Sequence, residues 1–99
     1  MGAKKRTGGQ LLVSCLKNLG VETSFGVPGE SYLAVLDALY DVDIQFVLCR
    51  QEGAAGFASA AWGKRTGQPG VCFVTRGPGA TNASIGVHTA MQAVSYTHL

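Results

Sequence analysis

Ile44-Gln45-Phe46-Val47-Leu48-Cys49-Arg50-Gln51-Glu52-Gly53-Ala54-Ala55 joins an apolar run directly to the start of an alanine-rich segment. Ile44 to Cys49 alternates poorly and is mostly apolar, as expected of a strand buried on both faces of a parallel sheet. From Gln51 to about Thr66 the residues favour a helix, and Gly67 ends it. Glu52 thus stands where a strand gives way to a helix, in a segment poor in charge. Carboxylates are seldom buried without a partner or a task. Inside a larger site, burial would raise its pKa and make it a usable proton donor near neutral pH. The plainer reading is a first-turn glutamate complementing the helix dipole, worth about 0.3–1 kcal/mol.

Working outward, the same alternation repeats. Thr7 can cap a helix from about Gly8 to Leu19, with Leu12, Cys15, Leu16 and Leu19 on one face and Gly20 after it. Thr23 to Val27 is a short strand stopped by Pro28-Gly29. Ser31 can cap a second helix whose inner side carries Leu33, Leu36, Leu39 and Tyr40. Asp41 to Asp43 is a polar break. Beyond the central stretch, Gln68-Pro69-Gly70 is a turn and Val71 to Thr75 a third strand. Gly77-Pro78-Gly79 reads as a tight loop before a fourth helix from about Thr81 to Gln92. This order predicts an α/β fold, three-layered around a central parallel sheet. Ligands in such sheets bind beyond the carboxyl ends of the strands. Three segments fall there: Gly26-Val27-Pro28-Gly29-Glu30, Arg50-Gln51-Glu52, and Thr75-Arg76-Gly77-Pro78-Gly79-Ala80-Thr81-Asn82. They come from three different strands, and the topology brings them to one edge.

Composition narrows the function. Charged residues are 14% of the 99, and there are 14 glycines without a period. Low charge with much Ala and Gly suggests a piece that buries more than a lone small domain, against an obligate interface or a partner domain. The net charge of +2 owes much to Lys4, Lys5 and Arg6. Residues 1–6 therefore read as a flexible basic tail. Without those three, five basic residues face six acidic ones. That balance argues against a nucleic-acid partner. Cys15, Cys49 and Cys72 are widely spaced in apolar contexts and form no C-x-x-C pair. They read as small buried hydrophobes in a reducing compartment. With no signal-peptide run and no stretch near the ~20 apolar residues of a membrane span, the expectation is a cytoplasmic protein without a membrane partner.

Common site chemistries fit poorly. Gly77-Pro78-Gly79 begins a dinucleotide fingerprint, but Asn82 stands where the third glycine belongs. Around Gly63-Lys64, a Walker loop would need glycine at Ala58 and Ser or Thr at Arg65. His88 and His98 are isolated, so no metal-ligand set is expected. No G-x-S-x-G elbow is present. A helix N-terminus after Gly77 could hold a phosphate. A structural turn is equally consistent.

Four segments taken together carry a resemblance. They are Phe25-Gly26-Val27-Pro28-Gly29, Arg50-x-Glu52 with its Ala-rich helix, Thr66-Gly67-x-Pro69-Gly70-Val71, and Thr75-x-Gly77-Pro78-Gly79-Ala80-Thr81-Asn82. In this order and spacing, residues 7–92 resemble part of the N-terminal, pyrimidine-binding domain of thiamine-diphosphate-dependent enzymes of the acetolactate synthase-like group. The resemblance implies that Glu52 hydrogen-bonds N1′ of the cofactor's aminopyrimidine and activates it by proton exchange. It implies that Pro28, Gly29, Thr75, Gly77 and Asn82 surround that ring. Decarboxylation or carboligation of a 2-oxo acid by a homodimer or homotetramer is the implied activity. The Mg2+ and diphosphate ligands would belong to a domain absent from this chain.

Some residues depart from the group. Acetolactate synthases usually show His, Glu, Gln where this chain has Gln51, Glu52 and Gly53, and Arg76 replaces a smaller residue. These changes bear on acetolactate synthesis itself more than on the wider group. Residues 93–99 do not resemble the family and read as a foreign tail on an N-terminal fragment. The alternative is a non-catalytic α/β module that binds or docks on a partner.

Overall fold

The computed structural model describes residues 5–93. Residues 1–4 of the expected basic tail and residues 94–99 of the expected foreign tail lie outside the described residues. Helix α1 (Gly8–Asn18) leads to β1 (Thr23–Gly26), and a 3-10 turn (Glu30–Tyr32) precedes α2 (Leu33–Tyr40). Then follow β2 (Gln45–Leu48), α3 (Glu52–Thr66), β3 (Val71–Phe73) and α4 (Pro78–Gln92). The sheet is wholly parallel with order β2-β1-β3. One face carries α1 and α2, the other α3 and α4. The three-layer α/β expectation therefore holds.

Local chemistry accounts for most of the element ends. Thr7 and Gln10 form a reciprocal capping box at α1. The Gln51 side chain caps α3 by accepting from Gly53 N and Ala54 N. Gly67, at φ 73°, closes that helix in the left-handed conformation. Two expectations about element starts need correction. Helix α4 begins at Pro78, not Thr81, because proline fits the first helical position, where its missing N–H would go unused anyway. Ser31 does not cap α2: it lies in the 3-10 turn, and α2 starts at Leu33 without a side-chain cap.

The buried faces also differ from the periodic reading. In α1 the inward stripe is Gly9, Val13 and Leu16, while Leu12, Cys15 and Leu19 are exposed. The cause is a close crossing: a Cβ on Gly9 would lie 2.5 Å from the backbone of Ala34 in α2. In α2, Ala38 and Leu39 are buried, whereas Leu33 and Tyr40 face outward. Val13, Ala38, Leu39 and Ile44 form the core on this side, flanked by Phe46 and Phe73. On the opposite face Phe25 meets Trp62 of α3 edge-on, ring centroids 6.0 Å apart. Strand β2 is not buried on both faces. It is an edge strand, and Leu48 is 67% exposed. The cysteines are likewise less buried than expected: Cys15 is exposed, and Cys49 and Cys72 are half-buried. Among the described residues no helix is long and apolar enough to cross a membrane.

Candidate functional site

Parallel pairing sets the level of the site. Gly26, Leu48 and Phe73 stand in register as the last residues of β1, β2 and β3. The chain therefore leaves all three strands at one edge, where Gly29, Glu52 and Thr75 follow within a few residues.

Glu52 is the first residue of α3 and is half-buried. Its Oε1 accepts a hydrogen bond of 3.2 Å from Asn82 Nδ2, across 30 residues of sequence. Asn82 reaches it from the second turn of α4, which starts at Pro78. Glu52 stands where a carboxylate complements the dipole of α3, and it accepts from a partner on α4.

Glycines let the segments around Glu52 pack closely. A Cβ on Gly79 would lie 2.8 Å from Thr75 Cγ2 and 3.4 Å from Glu52 Oε2. A Cβ on Gly29 would lie 2.6 Å from Thr75 Cβ. Gly29, Thr75, Gly79, Glu52 and Asn82 thus form one contiguous cluster from three loops. Gly77 serves differently. Its φ of 68° with ψ of −110° is a conformation that side chains resist, and it lets the chain turn into α4. Pro28 is exposed and flanks a shallow apolar cavity of about 320 Å3 with Leu36, Leu39, Tyr40, Ile44 and Phe46. No hydrogen bond among the described residues links Pro28 or Gly77 to Glu52.

Two side chains absent from the sequence-based site lie close by. Ser31 Oγ is 2.7 Å from Thr75 Oγ1. The Tyr32 hydroxyl donates to the carbonyl oxygens of Val27 and Phe73. Their partners are up to 44 residues away in sequence, so no local pattern marks them. Burial raises the Tyr32 pKa above its ordinary value, and the negative charges of Cys72 and Glu52 add to this. The Cys72 thiol is pushed up chiefly by burial, opposed by a hydrogen bond with Ser59, with smaller contributions from Cys49 and Glu52. Both groups are therefore held neutral beside Glu52. The described residues contain no group of three His, Cys, Asp or Glu side chains placed to hold a metal ion.

Residues 6–95 match the family model described as "Thiamine pyrophosphate enzyme, N-terminal TPP binding domain". An uncharacterized protein of Haemophilus influenzae is 46% identical over 85 residues, 86% of this chain and 32% of that one. The acetolactate synthase isozyme 2 large subunit of Escherichia coli is 44% identical over 84 residues, 85% of this chain and 15% of that one. A Pseudomonas aeruginosa protein named "Probable 2-ketoarginine decarboxylase AruI" is 44% identical over 87 residues, 88% of this chain and 16% of that one. The chain thus spans a third or less of the length of these relatives. It belongs to the thiamine pyrophosphate enzyme family, with residues 6–95 forming its N-terminal TPP binding domain.

Proposed function

We propose that this chain forms the aminopyrimidine-binding half of a thiamine-diphosphate-dependent enzyme that decarboxylates or ligates 2-oxo acids. The observation that carries the reading is the Glu52–Asn82 pair where the loops after β1, β2 and β3 converge. The residues present fit the cofactor's ring: a carboxylate to meet a ring nitrogen, an amide beside it, and glycines at 29 and 79 that let the loops close on Thr75. Glu52 holds or releases a proton at its free Oε2, while Asn82 fixes Oε1. Gly29 and Gly79 let their backbones close on the Thr75 side chain, which fixes the loops beside Glu52. Gly77 sets the direction of α4 and hence of Asn82. Pro28 stiffens the loop that carries Gly29.

Bound thiamine diphosphate supplies a thiazolium carbon that stabilises the negative charge left when a 2-oxo acid loses carbon dioxide. The residues that hold Mg2+ and the diphosphate are assigned to a further domain of the parent enzyme, a cytoplasmic homodimer or homotetramer. Expressed as the full reading frame, that enzyme is expected to release carbon dioxide from at least one of a panel of 2-oxo acids, only with thiamine diphosphate and Mg2+ present. Cofactor-bound protein inert toward every 2-oxo acid would overturn the assignment.

A further inference from the structure

The loop after β1 is tied to the loop after β3 by contacts that the function above does not use. Tyr32 spans the gap: its hydroxyl donates to Val27 O on one side and lies 3.4 Å from Phe73 O on the other. Its ring stacks on Phe73 at 6.0 Å with an interplanar angle of 22°. One residue earlier, Ser31 Oγ lies 2.7 Å from Thr75 Oγ1. Thr75 stands between two glycines. A Cβ on Gly29 would lie 2.6 Å from its Cβ, and a Cβ on Gly79 would lie 2.8 Å from its Cγ2. The same Gly79 position is 3.4 Å from Glu52 Oε2. A line of neighbouring groups therefore runs from Tyr32 and Ser31 through Thr75 and Gly79 toward the carboxylate.

We propose that Ser31 and Tyr32 are positioning residues for the cofactor site. They latch the Pro28-Gly29 loop to Thr75 and so set the gap beside Glu52 Oε2 into which the ring fits. The inference rests on the cofactor reading above. Three features set this apart from ordinary core packing. The bonds join two loops at the ligand edge of the sheet. Both are made by side-chain hydroxyls, one of them to a threonine that is itself part of the site. Tyr32 also stays a neutral donor beside Glu52, because burial and the nearby charges oppose its ionisation. A loosened latch would let Thr75 shift and widen the gap, which costs cofactor affinity without touching the acid substrate.

The test uses the full-length holoenzyme with Tyr32→Phe, Ser31→Ala and Ser31→Thr. Tyr32→Phe keeps the ring on Phe73 and removes only the hydroxyl. Thiamine diphosphate affinity, read by fluorescence titration, is expected to weaken about five- to tenfold in Tyr32→Phe and Ser31→Ala. Exchange of the bound cofactor's C2 proton should slow, KM for the 2-oxo acid should hold, and Ser31→Thr should restore affinity. Should Tyr32→Phe fail to fold, the two Ser31 variants decide. Variants that lower apoprotein melting but bind thiamine diphosphate as tightly as wild type would show a purely structural role and overturn the proposal. Wild-type protein that binds no thiamine diphosphate would instead overturn the cofactor reading on which it rests.

Discussion

Glu52 is held by two helices at once: its backbone opens α3, and its carboxylate accepts from Asn82 on α4. That double attachment leaves Oε2 free at the sheet edge while Oε1 is occupied. The neighbouring protic groups, Tyr32 and Cys72, both have raised pKa values, so both stay neutral near pH 7. Cys72 gives a direct check. Its folded-state pKa lies above its ordinary value of 9.0, so its thiolate is scarce until the pH passes that value. Stability from the neutral thiol is present below 9.0 and is lost as pH rises through the folded value. Alkylation at pH 8, followed by peptide mass spectrometry, should therefore modify exposed Cys15 well before half-buried Cys72. Cys72 should catch up in alkaline solution. Equal rates at pH 8 would contradict the assigned environment.

At the scale of elements, the site depends on how closely α3 and α4 approach. A Cβ on Gly86 would lie 2.6 Å from Gly56 Cα, so the two helices meet backbone to backbone. This contact lies one turn beyond Asn82 and fixes the distance its amide must span to Glu52. Gly86→Ala is expected to destabilise the fold by about 1–3 kcal/mol by forcing the helices apart. Denaturant titration reads this directly, and an unchanged midpoint would refute the close crossing. The starts of the elements follow similar local rules. Pro78 brings the start of α4 forward and puts Asn82 in its second turn. Gln51 spends its side-chain oxygen on the first N–H groups of α3. That use also explains Gly53, because a Cβ there would lie 2.7 Å from Gln51 Oε1.

For the molecule as a whole, the parallel order and the strand ends were legible in the sequence. Apolar runs, Gly/Pro stops and caps are local signals, and Thr7, Gly67 and the Val71 strand follow them. Glu52 and Asn82 stood out as candidates only as members of a pattern spread over three segments, and the structure joins them by a hydrogen bond. The inward faces were not legible, because close glycine crossings such as Gly9 on Ala34 turn a helix in ways that leucine spacing does not encode. The Ser31 and Tyr32 contacts escaped for a related reason: their partners lie far along the chain. Leu48, Phe57, Ile85 and Met91 remain exposed on a chain that spans 15% of the Escherichia coli relative. Such surfaces fit a piece of a larger assembly.

The central claim is that Glu52 activates the cofactor. Hydrogen–deuterium exchange at C2 of thiamine diphosphate, followed by NMR in the parent enzyme, tests it most directly. Glu52→Gln keeps the shape and the Asn82 contact but removes the titratable group. The account predicts that exchange slows by about 100-fold or more while the fold is retained. Exchange at the wild-type rate in that variant would contradict it.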